Sequence, residues 1–368
     1  MGGCSRMNRL PASISLPQDA SGHSLSNAEW WYAYALLSGS QGHRYAVMAS
    51  FFRVGELVAP KGHYMIHSLV QLDRERFDCA SLLDRMLAYQ MASLYLPVYL
   101  MKNPLDSHTW GQYKQLLTAS LPEPHQLLPG ASVQARPTHV IYGDCGMAFA
   151  DDSSPSFQLK LTSGNHRLRL NFEPMKPVSL IDEKGKINGL RYYSSTRNVV
   201  TGELHKEGRM ESVQGEGWFD HQWGRNYGLL QGEGWDWFGL QLRSGQELLI
   251  SRLRYANAKS EPYSIAKLIR QDGSIATTEK VELKPVRTWS GGWAKAEYPV
   301  EWSIRLPEFG MSLSVTPLLD HQEMPIIGPL QAIWEGVCSV SGTADTLAGD
   351  AEAIEGYGFL ELVGYPQK

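Results

Sequence analysis

Asp220, His221 and Asp236 are the residues whose chemistry the sequence most invites. They lie in GEGWFDHQWGRNYGLLQGEGWDWFGLQL (Gly215–Leu242), which repeats GEGW after 17 residues and holds four of the eleven tryptophans. A carboxylate set among Trp and Phe is costly to keep ionised, and desolvation raises its pKa. A protonated Asp in such a place can donate a proton near neutral pH. Asp220 and His221 offer an acid and a base, but neighbours on a strand point to opposite faces. The pairs that can share a space are therefore Asp220 with Gln222 and His221 with Trp223. A structural alternative stays open, in which Asp caps a turn or pairs with Arg and His bonds a backbone carbonyl.

The element that positions these residues is a strand. Alternation puts Phe219, His221 and Trp223 on one face and Trp218, Asp220 and Gln222 on the other. In the second copy, Trp235 and Trp237 share one face, opposite Asp236, Phe238, Leu240 and Leu242. A half-exposed strand would have one polar face, whereas these are apolar on both. The pattern predicts a core on one side and a second apolar space, a ligand cavity or a domain interface, on the other.

Most of the chain reads the same way. Glu29–Leu37 and Arg44–Val54 are aromatic and aliphatic with a GSQGH turn between them, and FQLKLTS and HRLRLNFE alternate strictly around a turn at 163–165. Strands recur every 8–12 residues to the C-terminus, which suggests antiparallel barrels or sandwiches. One region differs, about 78–132. There Leu83, Leu87, Met91 and Leu94 fall on one helical face that Pro97 should end, and Trp110, Tyr113, Leu116 and Leu117 form a second stripe. These helices either pack on a barrel exterior or form a lid over a cavity. Contact with lipid is a weaker expectation, because the polar side at Asp84 and Arg85 carries little excess positive charge.

Other chemistries lack their motifs. No HxH or HExxH spacing appears among the eleven histidines, and there is no Walker sequence, Rossmann fingerprint or nucleophile elbow. No metal and no cofactor is expected. Cys4, Cys79, Cys145 and Cys338 are isolated and read as reduced thiols. With 368 residues, 43% apolar and 20% charged, the chain suits two globular cores. A net charge of −4 gives no reason to expect nucleic acid. The N-terminus lacks the apolar run of a signal peptide, Arg6 stands where a myristoylation motif needs Ser or Thr, and no stretch is long enough to span a bilayer. A cytoplasmic protein is expected, with a peripheral membrane contact through the helical segment as the alternative.

Several blocks carry a resemblance. EWWYAYALL with ASFFR, YYSSTRNVVTGEL (Tyr192–Leu204), GEGWFDHQWG (Gly215–Gly224), GWDWFGLQLRSGQELLISRLR (Gly234–Arg254), IWEGVCSVSG (Ile333–Gly342) and GYGFLELVGY (Gly356–Tyr365) resemble, in order, the AttH-like and carotenoid 1,2-hydratase (hydroxyneurosporene synthase) superfamily. Lipocalin-like Diels–Alderases are related, and tocopherol cyclase more distantly. The resemblance implies an all-β chain of two tandem lipocalin-like antiparallel domains, 1–228 and 229–368, with the helical insertion in the first and a junction around 225–232. It implies a long, apolar, unsaturated substrate of isoprenoid or polyketide type, and neither metal nor nucleotide. Phe219 stands where the hydratases usually have His, and the insertion is longer than in their compact members.

The expected activity is addition to, or cyclisation across, carbon–carbon double bonds, with a non-catalytic lipid or pigment carrier as the alternative. Asp220, His221 and Asp236 are the expected catalytic groups. Glu29, Trp30, Trp31, Tyr32, Phe51, Tyr192, Tyr193, Trp218, Trp223, Trp235 and Trp237 are expected to line the substrate space, where tryptophans can stabilise positive charge.

Overall fold

The structure is a computed structural model that describes residue 14 and residues 16–56, 60–164, 166–185, 189–226, 233–255, 261–345 and 350–365. Cys4, Arg6, Asn165, residues 227–232 of the expected junction and the 228/229 boundary lie outside the described residues.

Strand Ala28–Gly39 runs down the middle of the first sheet, antiparallel to Arg44–Val54 on one side and to Arg209–Gly224 on the other. The sheet continues outward through Gly62–Gln71 and Arg76–Leu83 on the first side. On the second side it continues through Leu190–Lys206, His166–Pro174 and Phe157–Ser163. The last two form the alternating hairpin, with Leu159, Leu161, Leu168, Leu170 and Phe172 buried and Gln158, Arg167, Arg169 and Asn171 exposed. In the second sheet, Gly234–Leu242 lies between Glu247–Arg254 and Ala351–Val363, and Ala332–Asp345 pairs with the far side of Ala351–Val363. Pairing is antiparallel except where Gln126–Leu127 joins Arg76–Leu83 in parallel. The result is all-β: two tandem lipocalin-like domains, each a curled sheet.

Each sheet wraps its own core. Trp31, Phe51, Phe149, Phe172, Tyr193, Phe219 and Trp223 fill the first, and Phe238, Trp302, Trp334 and Leu360 help fill the second. A third cluster lies between the sheets. It joins Tyr32, Tyr34 and Trp218 of the first to Trp237, Val337 and Phe359 of the second. This explains the doubly apolar strands: one face serves the strand's own domain and the other serves the neighbouring domain. Ion pairs hold the sheets together as well. Buried Glu247 of the second sheet accepts from Lys176 Nζ at 2.7 Å, Arg197 Nε at 2.6 Å and Thr196 Oγ1 at 2.9 Å, all from the first. A register shift between Ser195 and Asn198 carries Thr196 and Arg197, and a bulge of this kind re-aims the side chains it contains.

The helical residues span 85–117, narrower than the 78–132 expected, because both flanks are strands. Leu83 ends the strand Arg76–Leu83, and Asp84 caps the next helix by accepting from Leu87 N at 2.7 Å. Pro97 does not end the helix. Residues Met91–Tyr95 take a π-helical turn, and Pro97 then sits in the first turn of Leu96–Lys102, where a missing N–H costs little. The π turn also shifts the register. Leu87, Met91, Leu96 and Leu100 face inward, while Leu94 is exposed. In the helix Ser107–Leu117 the buried positions are Thr109, Gln112 and Leu116; Leu117 is exposed. Among the described residues, no helix is long and apolar enough to cross a membrane.

Candidate functional site

A cavity of about 300 Å³ opens between the sheets. Trp30, Tyr32, Tyr192 and Asp220 border it from the first sheet, and Trp235, Trp237, Glu335 and Glu361 from the second. Its remaining side is closed by Leu87, Met91, Tyr95 and Leu96 of the helical insertion and by residues 326–330 of the second domain. The two closing parts touch, since Gly328 N donates to Gln112 Oε1 at 2.9 Å, and Ile327 N donates at 3.3 Å to the hydroxyl of Tyr64 on the strand Gly62–Gln71.

Three neutral donors hold the carboxyl of Asp220. It faces Tyr32 on one neighbouring strand and Ser194 on the other. Tyr192 Oη donates to Oδ2, while Ser194 Oγ and Trp218 Nε1 donate to Oδ1, each at 2.5 Å. Trp237 Nε1 in turn donates to Tyr192 Oη at 3.2 Å. Burial pushes the Asp220 carboxyl up to about 7, against the pull of these donors. The ring of Trp237 lies edge-on to Trp218 at 5.9 Å and to Tyr32 at 5.5 Å. Gly239 leaves it room, because a Cβ there would collide with the ring.

Two further acids share the cavity. Glu335 and Glu361 sit directly opposite each other on paired strands. Tyr32 Oη donates to Glu335 at 2.7 Å. Burial, then the charge of Glu361, hold Glu335 well above the usual carboxylate range. Burial pushes Glu361 to about 7, with a hydrogen bond from Trp235 opposing and the charge of Asp220 adding to the rise. Neither acid stands out in the sequence. IWEGV and FLELV each set one Glu within an apolar strand, and that is the signal that could have found them.

The other expected residues lie elsewhere. Trp218 packs behind the cavity wall, stacked on Tyr34. Trp31, Phe51, Tyr193, His221 and Trp223 point into the first domain's core, on the far face of the same strands. His221 contacts Glu29 at 3.1 Å and Tyr193 Oη at 3.1 Å, with Trp31 stacked on its ring. Glu29 borders the cavity, but its carboxylate receives His23 Nδ1 at 2.8 Å and Arg53 Nη1 at 3.1 Å. Burial alone would raise Glu29, yet the bonds from His221 and His23 hold it at about 2. Asp236 turns to the second domain's interior, where Arg252 Nε at 2.6 Å, Tyr365 Oη at 2.7 Å and Arg254 at 3.4 Å engage it.

His23, Glu29 and His221 bring three metal-ligating atoms within 4.8 Å of one another. Each is hydrogen-bonded, and Arg53 already sets a positive charge against Glu29. The geometry is that of a structural hub tying the segment around His23 to the barrel. A separate chain of short contacts leaves the cavity wall at Tyr64, whose Oη lies 2.7 Å from Ser81 Oγ, itself 2.7 Å from His125 Nδ1.

An AttH-like family model matches residues 123–365. A crystal structure of a protein assigned as an AttH from Nitrosomonas europaea superposes with a TM-score of 0.72 at 22% identity, covering 97% of this chain and 99% of that one. Kievitone hydratase from Nectria haematococca superposes with a TM-score of 0.67 at 14% identity, covering 97% and 94%. Comparison with curated protein sequences finds no match.

Proposed function

The chain belongs to the AttH-like family, and from that premise we propose that it is a hydratase-type lyase acting on an apolar, unsaturated substrate held between its two domains. One observation carries this reading: three buried or half-buried carboxyl groups with raised pKa values face one apolar cavity. The likeness in fold to kievitone hydratase supports it.

At neutral pH a carboxyl with a pKa near 7 is present in both forms, as a proton donor requires. When Asp220 is protonated its hydrogen bond with Tyr192 reverses, so that the carboxyl donates to the Tyr192 hydroxyl; the hydroxyl then passes its own proton to one carbon of a double bond and takes the carboxyl's in its place. The positive charge formed on the other carbon is stabilised by the faces of Trp235 and Trp237 and by the acids nearby. Water adds to that carbon, and its surplus proton goes to whichever of Glu335 and Glu361 is ionised. Alkene and water become alcohol, and exchange with solvent returns Asp220 to its acid form. If a second double bond replaces water as the nucleophile, the same protonation drives cyclisation, with final loss of a proton from carbon.

The test offers unsaturated isoprenoids and prenylated aromatics to the protein in oxygen-18 water. A product heavier by one labelled water supports the reading, and Asp220→Asn should lower its rate roughly 10²–10⁴-fold. Tight binding with every ligand recovered unchanged would instead establish the carrier.

A further inference from the structure

The helical insertion is apolar on both of its sides. Its inner stripe, Leu87, Met91 and Leu96, borders the cavity. Its outer stripe is Tyr89, Leu94, Val98 and Met101, spaced by five, four and three residues, and exposed Leu105 follows in the turn after Lys102. The step of five crosses the π turn, so these side chains stay in line. Tyr89 is 67% exposed, Met101 75% and Leu105 94%. A helix that is apolar all round needs cover on all sides, and among the described residues this stripe is covered only in part, at Leu94 and Val98. Trp110, also exposed, adds an aromatic ring of the kind that sits at lipid headgroups.

We propose that this outer face docks on an anionic lipid surface. Charge selects the occupant. Between residues 85 and 120 the charged side chains are Arg85, Lys102 and Lys114, all exposed, and the half-buried Asp106, which caps a helix by accepting from Thr109 N at 2.9 Å and also accepts from Tyr99 Oη at 3.1 Å; three positive charges against one negative leave +2. A chain of net charge −4 thus carries its apolar stripe on a segment of net charge +2, because Lys102 and Lys114 add to Arg85, whose own charge Asp84 just before the segment nearly balances. A second copy docked by a two-fold axis would set these like charges against each other, whereas anionic headgroups neutralise them. The stripe can enter the headgroup region by about 5–10 Å. Docking there would put the lid of the cavity at the surface in which apolar molecules dissolve. This inference does not depend on the reaction proposed above.

The full chain is sedimented with vesicles of phosphatidylcholine alone and with vesicles containing phosphatidylserine. The protein should pellet with the anionic vesicles, and less so as salt is raised. Met101→Glu combined with Leu105→Glu should reduce partitioning at least about tenfold, since each buried CH₂ contributes about 0.8 kcal/mol. The unfolding temperature should not change, because both side chains lie in solvent; Met101→Ser with Leu105→Ser should behave alike. Three results overturn the proposal: wild-type protein that stays in the supernatant with both vesicles, a double variant that pellets as well as wild type, or a soluble dimer that the variant dissociates.

Discussion

Replacing Asp220 by Asn keeps the side-chain shape and removes one titrating proton, and its effect on stability can be worked out without knowing the substrate. Folding raises this carboxyl from 3.8 to about 7, with burial as the cause. Well below pH 3.8 the group is protonated in the folded and unfolded chains alike, so it adds no penalty. As pH rises from 4 to 7 the unfolded chain releases the proton and the folded chain keeps it, so the wild type loses stability with rising pH. At 1.36 kcal/mol per pH unit, the loss reaches about 4 kcal/mol above pH 7, of which about 3 kcal/mol falls between pH 5 and pH 8. The Asn variant lacks this slope. Urea unfolding of both proteins at several pH values, compared at equal m-values, should therefore find Asp220→Asn gaining about 3 kcal/mol on the wild type between pH 5 and pH 8. Glu335 and Glu361 titrate in both proteins, so most of their contribution cancels. Parallel stability curves would mean that Asp220 has an ordinary pKa, and the acid role argued for it would fall with that result.

Glu361→Gln removes the charge that raises Glu335, so the protonated-carboxyl infrared band assigned to Glu335 should titrate at lower pH than in wild type; an unmoved band would refute the coupling. Glu247→Ala leaves buried Lys176 and the Nε of Arg197 without their carboxylate, and thermal unfolding should record a loss of about 3–5 kcal/mol. Trp237→Ala empties part of the cavity wall and removes the donor to Tyr192, with an expected loss of about 3–5 kcal/mol by urea unfolding and weaker uptake of an apolar dye.

Local alternation was the most legible feature. It separated Trp218 and Asp220 from Phe219, His221 and Trp223, and it marked strands with apolar space on both sides, which is the arrangement found where two sheets face each other. What local sequence could not convey was partnership. Asp220 and Asp236 stand in like settings, FDH and WDW, but the register places Arg252 opposite Asp236 and Ser194 opposite Asp220. A cation therefore answers one acid and neutral donors answer the other. Glu335 and Glu361 were hidden for the same reason, since their significance comes from facing each other across two strands. The ends of the helical segment were misjudged because Phe77–Leu83 has an apolar spacing that suits either a strand or a helix, and its pairing with Gly62–Gln71 decides the matter.

The pairing of Ala28–Gly39 with Arg209–Gly224 sets a timetable for synthesis. After residue 39 the ribosome must add 209 − 39 = 170 residues before that partner begins to emerge, roughly 10–30 s at common elongation rates. Trp30, Tyr32 and Tyr34 wait longer still, because part of their cover, Trp237 and Phe359, comes from the second domain. Through that interval a nascent chain exposes an aromatic strand edge with nothing yet made to cover it, the condition under which β proteins self-associate. Soluble yield should accordingly rise with holdase chaperones that bind aromatic segments, and truncations ending before residue 209 should aggregate rather than leave a usable half.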